Sequence, residues 1–497
     1  MGSWRLPIAT AGVVLFVILA TLNAGGYRYG ASDQAFYIPA IQHHLDPALF
    51  PRDWPMLAAQ DRLNAFTPVA AFLAESTGTP LPRLFLVLYL AGLVTLGIAA
   101  LGIARALSGS AWTVPALLAA LTLRHAVALG AVNTLEGYMH PRTIAFALGA
   151  MGAAALLRGW YAAVLLLIVL AALVHPTTAI WFALWLLVAI FVAERRWRPW
   201  LSVAAGFAAL GGIWALLAGP LAGRLVRMDE TWVAALAAKD YLFPDRWPLW
   251  AWLNAVLYPA VVSGVYLLRR RRGVVSPREL GLVVGALALA TVFLASIPFA
   301  VARVAFAVQL QVPRVLWMLD LLAVVYLVWL LSEGGAGNGR RRPAIVAILL
   351  VLASAGRGAW VMLVEHPERR VVQVGLPPTD WNSAMAWIAA ETPADTLVIA
   401  DPGHAWKYGS SVRVAALRDV YLEETKDSAF ALYSRATAVR FLERVGTAQH
   451  FAERSAGEMR TLAAGAGVDV LVTERRLNLP LLFRNGRFSV YSLIPDP

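Results

Sequence analysis

Apolar runs recur from the amino terminus to about residue 363, separated by short polar stretches. Crossing a bilayer core takes about 20 apolar residues in a helix. On that rule about eleven spans are expected, over 6–23, 83–104, 112–130, 141–157, 160–174, 177–193, 200–219, 249–268, 279–297, 314–332 and 343–363. The first run ends in Asn23-Ala24-Gly25-Gly26 and reads as a retained first helix rather than a cleaved leader. With a cytoplasmic amino terminus, Arg105, Arg158, the run from Glu194 to Arg198, and residues 269–272 and 340–342 all fall on the inner side, as the positive-inside bias favours. The outer loops are then 24–82, 131–140, the His175-Pro176 break, 220–248, 298–313 and everything after about 364. Arg124 and His125 fall within the end of the third expected span.

Two outer loops carry apolar stretches too short to cross. Residues 65–76, preceded by turns at Pro47 and Pro51, predict interfacial helices, and 220–250 predicts a second amphipathic surface segment. From about residue 375 the pattern is that of a small α/β unit. It has an expected helix over 381–391, a buried strand over 396–400, helices over 428–444 and 451–464, a strand over 468–473, and a hairpin around Asn485-Gly486. The fold class is therefore a polytopic α-helical membrane protein, residues 1–374, with an extracytoplasmic α/β domain over 375–497.

Composition sharpens this picture. At 59% hydrophobic and 14% charged residues, the chain is too apolar for an ordinary soluble protein. Its net charge of +12 comes from arginines clustered beside apolar spans, a distribution that argues against nucleic acid as a partner. Only Lys239, Lys407 and Lys426 are lysines, which reads as a compositional bias. Without cysteine there are no disulfides or thiolate metal sites. The chain contains no phosphate-binding glycine motif.

Ionisable groups at membrane depth are costly and are candidates for function. Asp33 lies about ten residues past the first span, where it could meet a lipid headgroup or simply cap the helix beginning at Gln34, a task Ser32 could also perform. His140-Pro141 and His175-Pro176 place proline in the first turn of a helix, leaving Glu136, His140 and Arg142 at the rim of a cavity and His175 either at a kink or on a substrate. Arg303 and Arg314 flank an apolar segment and suit phosphate binding, although arginine also reaches headgroups routinely. The adjacent His43 and His44 point to different helix faces, which disfavours a dedicated zinc site; a divalent cation shared by Asp33 and Glu136 stays open.

The run Ser32-Asp33-Gln34-Ala35-Phe36-Tyr37, the pattern His140-Pro141-Arg142-Thr143-Ile144-Ala145, the later His175-Pro176 and the carboxyl-terminal α/β unit together resemble the GT-C superfamily of polyprenyl-phosphate-dependent glycosyltransferases. The resemblance implies sugar transfer from a polyprenyl-phosphate donor to a lipid or glycan acceptor at the outer face of a bacterial inner membrane. It further implies Asp33 as the catalytic carboxylate, acting on or orienting the acceptor. Gln34, Tyr37, Arg124, Glu136, His140, Arg142 and His175 would then line the substrate site, with Arg303 or Arg314 on the lipid phosphate. Many members carry a second acid beside the first, whereas here Gln34 follows Asp33. The competing readings are a non-catalytic GT-C-like lipid-binding or envelope protein and a transporter or flippase.

Overall fold

Backbone polar groups have no water to bind inside a bilayer, so an apolar chain crossing it must satisfy them within helices. In the computed structural model, which describes residues 5–62, 64–125, 127–335 and 341–494, a helix occupies each of the expected stretches. Among the described residues seven are long and apolar enough to cross: Leu81–Leu107, Pro176–Ala193, Arg195–Leu217, Leu249–Arg271, Pro277–Val301, Ala305–Glu333 and Arg342–Glu365. Shorter apolar helices occupy Ala9–Asn23, Thr113–Thr122 and Tyr161–Val174, and Pro141–Arg158 packs most of its length against neighbours.

Close packing holds the bundle. Gly281 and Gly285 let helix Pro277–Val301 lie directly on Pro176–Ala193, since a Cβ at either would strike the carbonyl oxygen of Ala189 or Trp185. Trp185 donates its indole N–H to the Leu282 carbonyl at 2.8 Å. By contrast, helix Arg198–Leu217 has no buried side chain and presents Trp200, Phe207, Leu210, Trp214 and Leu217 outward. A helix apolar on its exposed side is what a lipid-facing position calls for.

Arginines bond to backbone carbonyls at both ends of the bundle. At one, Arg272 donates to the carbonyls of Glu333 and Gly334, Arg342 to that of Leu331, and Arg278 to that of Leu157. Two of the clusters assigned to the inner side, those of Arg272 and Arg342, therefore meet the same helix end, at Leu331 to Gly334; Arg340 lies outside the described residues. At the other end, Arg357 donates to the carbonyl and side-chain oxygens of Asn23, both at 3.0 Å.

The third expected span is corrected. Its helix stops at Thr122, where Leu123 turns to an extended conformation, so Arg124 and His125 lie beyond it. His125 accounts for the break: its ring contacts Asp320 Oδ2 and the Ala120 carbonyl oxygen, each at 3.0 Å, partners that a continued helix would withhold.

Residues 24–82 hold helices Gln34–Leu45, Trp54–Asp61 and Phe66–Thr77. A short parallel pair, β1 (Tyr27–Arg28) with β2 (Val372–Gln373), ties this loop to the chain emerging from the last bundle helix. The expected surface segment over 220–250 is instead a set of short turns around helix Glu230–Ala235, and it packs on the carboxyl-terminal region rather than lying free. Trp232 explains this, being buried and donating to the Ala431 carbonyl at 2.7 Å.

The carboxyl-terminal region has a five-stranded sheet in the order β4-β3-β5-β7-β6, from β3 (Leu397–Ile399), β4 (Asp419–Val420), β5 (Val470–Thr473), β6 (Leu481–Arg484) and β7 (Ser489–Ser492). Strand β3 runs parallel to β4 and β5, while β6 and β7 form the antiparallel hairpin at the edge. The helix expected over 428–444 divides into Glu424–Phe430 and Arg435–Ala448, because Ser434 takes an extended conformation and caps the second part. The helix expected from 451 starts later, at Ala456, where Ser455 and Glu458 form a capping box.

The loop and this region are joined by buried charge. Arg413 and Asp53 are both fully buried; the guanidinium donates Nε–H to Asp53 Oδ2 at 2.8 Å and an Nη1 hydrogen to Asp427 Oδ1 at 2.7 Å. Arg440 reaches the other Asp53 oxygen at 2.7 Å, and Val420 N–H donates to Oδ2 at 3.1 Å. Arg413→Ala leaves buried carboxylates uncompensated and is expected to cost roughly 3–5 kcal/mol. The check is the thermal unfolding midpoint of detergent-purified protein, which should fall well below that of wild type; an unchanged midpoint contradicts a structural role for the pair.

Candidate functional site

Asp33 occupies the position before helix Gln34–Leu45 but does not cap it. Its backbone is helical (φ −72°, ψ −4°) rather than extended, and its carboxylate makes no bond to the helix N–H groups. Ser32, at φ +50°, turns the chain just before it. The carboxylate therefore points away from its own helix into a cluster of cations.

Lys426 Nζ donates to Asp33 Oδ1 at 2.8 Å, from the carboxyl-terminal helix Glu424–Phe430. Oδ2 lies 3.4 Å from both His140 Nε2 and an Arg142 Nη2. Burial opposes the charge on Asp33, yet Lys426, the bond from His140 and the Arg142 guanidinium hold its carboxyl well below the usual carboxylate range.

The tautomer of His140 follows from its cap. His140 Nδ1 accepts the Arg142 backbone N–H at 3.0 Å at the start of helix Pro141–Arg158, which leaves the hydrogen on Nε2, facing Asp33. Burial, then Arg142, push the imidazole below its ordinary range, so it is neutral near pH 7. His175 repeats the device: its Nδ1 accepts from Thr178 Oγ1 at 2.9 Å, and burial followed by His140 push it well below its ordinary value.

Asp33, His140, Arg142 and His175 share a cavity of about 230 Å³ with Tyr37 and Arg314. Tyr37 sets its ring edge-on to His140, centroids 5.2 Å apart. Arg314 is the exception among these cations. Its Nε is buried without a hydrogen-bond partner, and no carboxylate pairs with it among the described residues. Its neighbours across the cavity are Tyr37, Tyr241 and Tyr433.

Other candidates lie elsewhere. Gln34 is fully buried and spends its amide on the backbone, accepting from Gly30 N at 2.6 Å and donating to the Met139 carbonyl at 3.0 Å, so it braces the turn and lines neither cavity. Arg303 is not at the site: it forms a two-pronged pair with Asp245 at 2.6 and 2.7 Å, over the Phe243 ring. Glu136 is buried rather than at a rim, bonded to Arg142. It lines a second cavity with Arg124, on the far side of Ser32.

Residues for the cation contemplated between Asp33 and Glu136 do not fit one, because the Arg142 guanidinium already lies between those carboxylates. Among the described residues no group of three or more histidines and acids is arranged to hold a metal. His43 and His44 turn to separate partners, the Leu49 carbonyl and Asp61.

Sequence reasoning missed Lys426, Lys239, Tyr241 and Tyr433, all lining the Asp33 cavity. A signal was present for two of them. In a chain with three lysines, two face the same cavity, so their scarcity marked them. Burial, then the charge of Lys426, lower the Lys239 ammonium below its ordinary range.

No protein-family model matches the sequence, and no curated protein matches it. Among solved structures, the archaeal oligosaccharyltransferase AglB from Archaeoglobus fulgidus, in complex with an inhibitory peptide and a dolichol-phosphate, aligns with 95% of this chain and 69% of its own, at 13% identity and a TM-score of 0.41. The Archaeoglobus fulgidus oligosaccharyltransferase in complex with zinc and sulfate aligns with 94% of this chain and 68% of its own, at 12% identity and a TM-score of 0.43. Likeness of this degree assigns neither family nor activity.

The depressed Asp33 carboxyl has a consequence for stability. Its contribution is fully present above the ordinary carboxylate value and is lost as pH falls through the lower folded value. Wild type is therefore expected to melt above Asp33→Asn near neutral pH, with the gap closing in strong acid. Melting curves from about pH 7 into strong acid, to about pH 2, test this; a gap that stays constant throughout would mean that the cations do not act on the carboxylate.

Proposed function

We propose that the protein is a membrane glycosyltransferase that moves a sugar from a polyprenyl-phosphate donor to a lipid or glycan acceptor at the outer face of a bacterial inner membrane, with Asp33 as its catalytic carboxylate. In this reading residues 1–374 form the GT-C-like membrane domain, and residues 375–497 the extracytoplasmic domain that closes over the first outer loop. The observation that carries it is the pairing, in one cavity, of a carboxylate held ionised with a guanidinium that lacks a carboxylate partner. Transfer from a lipid phosphate needs those two elements: an acceptor-facing base and a cation for the phosphate that departs.

In the reaction the acceptor oxygen forms a bond to the anomeric carbon while the bond from that carbon to the phosphate oxygen breaks. The electron pair leaves with the polyprenyl phosphate, whose charge Arg314 and Lys239 would meet. The acceptor proton passes to Asp33 and then to solvent. Asp33 is a weak base while Lys426 and Arg142 face it, so its first task is to orient the acceptor hydroxyl. Proton transfer then comes late, when the oxygen already carries positive charge. Neutral His140, with Nε2–H toward Oδ2, fixes the carboxylate's rotation. Tyr37 and His175 line the space beside it.

Transport is less well supported. Both cavities are lined by the first loop and the carboxyl-terminal region, at one end of the bundle, whereas transport sites lie near the middle of the membrane between broken helices.

Transfer from a panel of polyprenyl-phosphate sugars, measured in membranes with matched expression, tests the proposal. Asp33→Asn is expected to lose about 10²–10⁴-fold in rate, and Arg314→Gln about 10²–10³-fold. Equal transfer by wild type and Asp33→Asn would remove Asp33 from the chemistry. Lys426→Met gives an independent check through pH: without its cation the Asp33 carboxyl rises, so the acid limb of the rate profile should move to higher pH. An unmoved limb would separate Lys426 from the reacting carboxylate.

A further inference from the structure

The second cavity, about 420 Å³, lies against the first and shares Ser32, Trp406 and Lys426 with it. Its lining is strongly basic: Arg28, Arg124, Arg357 and Arg369 face it, along with Lys426. These cations come from separated stretches, brought together by the β1–β2 pairing and the end of the last bundle helix.

Their charges are poorly balanced. Arg28 Nε is buried without a hydrogen-bond partner. Arg124 is exposed to the cavity and forms no ion pair among the described residues. Arg357 bonds to Asn23 oxygens rather than to a carboxylate. Arg369 pairs with Glu368, whose side chain is 67% exposed. Of the two acids on the wall, Glu136 belongs to Arg142, and Glu365 sits exposed with no ion pair among the described residues. Burial, then the charge of Arg369, lower the Arg28 guanidinium from its ordinary value. Two guanidiniums lining one partly dry cavity repel, and an anion between them relieves that cost.

We infer that this cavity is a second anion site, separate from that at Arg314, and that it takes the acceptor of the transfer through a phosphate group gripped by Arg28 and Arg369. The acceptor role rests on the reading of the Asp33 cavity as a transfer site; the anion site stands on the arginines alone. Guanidinium forks suit phosphate oxygens in two-pronged contact, and the cavity volume admits a phosphate with an attached sugar or glycerol. The phosphate would bring the acceptor hydroxyl toward Ser32 and the Asp33 carboxylate beyond it.

The experiment is equilibrium binding to the full-length protein, using glucose 1-phosphate in solution and phosphatidic acid in a nanodisc of otherwise neutral lipid, with diacylglycerol as the uncharged control. Wild type should bind at least one phosphate probe and ignore diacylglycerol. In an Arg314→Gln background, which removes the other anion site, the double variant Arg28→Gln/Arg369→Gln should bind about tenfold or more weakly than Arg314→Gln alone. Arg124→Gln, at an exposed side chain whose loss leaves the fold intact, should weaken binding about threefold. Binding of the soluble probe identifies a phosphorylated glycan, and binding of phosphatidic acid alone identifies a lipid-borne phosphate. No binding of either probe by wild type, or equal binding by the double variant, overturns the anion site. Phosphate binding that is lost in the double variant while that variant still transfers sugar at the wild-type rate, in a preparation where Asp33→Asn does not, overturns the acceptor role alone.

Discussion

A single buried guanidinium, that of Arg413, decides where the two halves of this protein meet. It lies between Asp53 of the first loop and Asp427 of the carboxyl-terminal region, with Glu423 3.6 Å away. Charges this deeply buried are stable only together, so the loop cannot slide on the region without exposing an unpaired ion. The balance is tight enough that burial, with the Asp53 charge behind it, pushes the neighbouring Asp419 carboxyl up to about 6. Asp419 nonetheless accepts the backbone N–H groups of Arg52 and Asp53 at 3.0 and 2.9 Å, holding the loop backbone as well as its side chain.

From that junction the geometry of the Asp33 cavity follows. Glu423 stands at the cap position of helix Glu424–Phe430 and Asp427 lies in its first turn, and the same helix carries Lys426 onto Asp33. Phe36 and Phe430 meet edge to face with centroids 4.9 Å apart, so an apolar contact backs the ionic one. The carboxylate is thus supported from the carboxyl-terminal side by Lys426 and from the bundle side by His140 and Arg142.

The cations around the two cavities divide by their partners. Arg142, bonded to Glu136, is part of the frame, as Arg303 is with Asp245. Arg314 and Arg28 have buried guanidinium nitrogens without an internal partner. Arg142 and Arg413 also keep one unpartnered buried nitrogen, but carboxylates balance their charge; Arg314 and Arg28 form no ion pair among the described residues, which is why these two mark places where an anion belongs.

Hydropathy made the bundle legible, because burying apolar side chains in lipid or against other helices is a local property of each run. The His-Pro helix starts and the hairpin at Asn485-Gly486 were legible for the same reason: caps and tight turns are written in a few neighbouring residues. Local patterns misjudged the third apolar run and the stretch 428–444, where a long-range bond of His125 and a single capping serine, Ser434, ended the helices. They could not separate Arg314 from Arg303, since both sit beside the same apolar segment and differ only in whether a distant carboxylate reaches them. The sequence by itself determined a helical membrane bundle, a carboxyl-terminal α/β pattern and Asp33 as an acid just outside the first helix. Only the tertiary structure decided what surrounds that acid, because Lys426 lies 393 residues further along the chain and no periodicity reports a pairing across that distance.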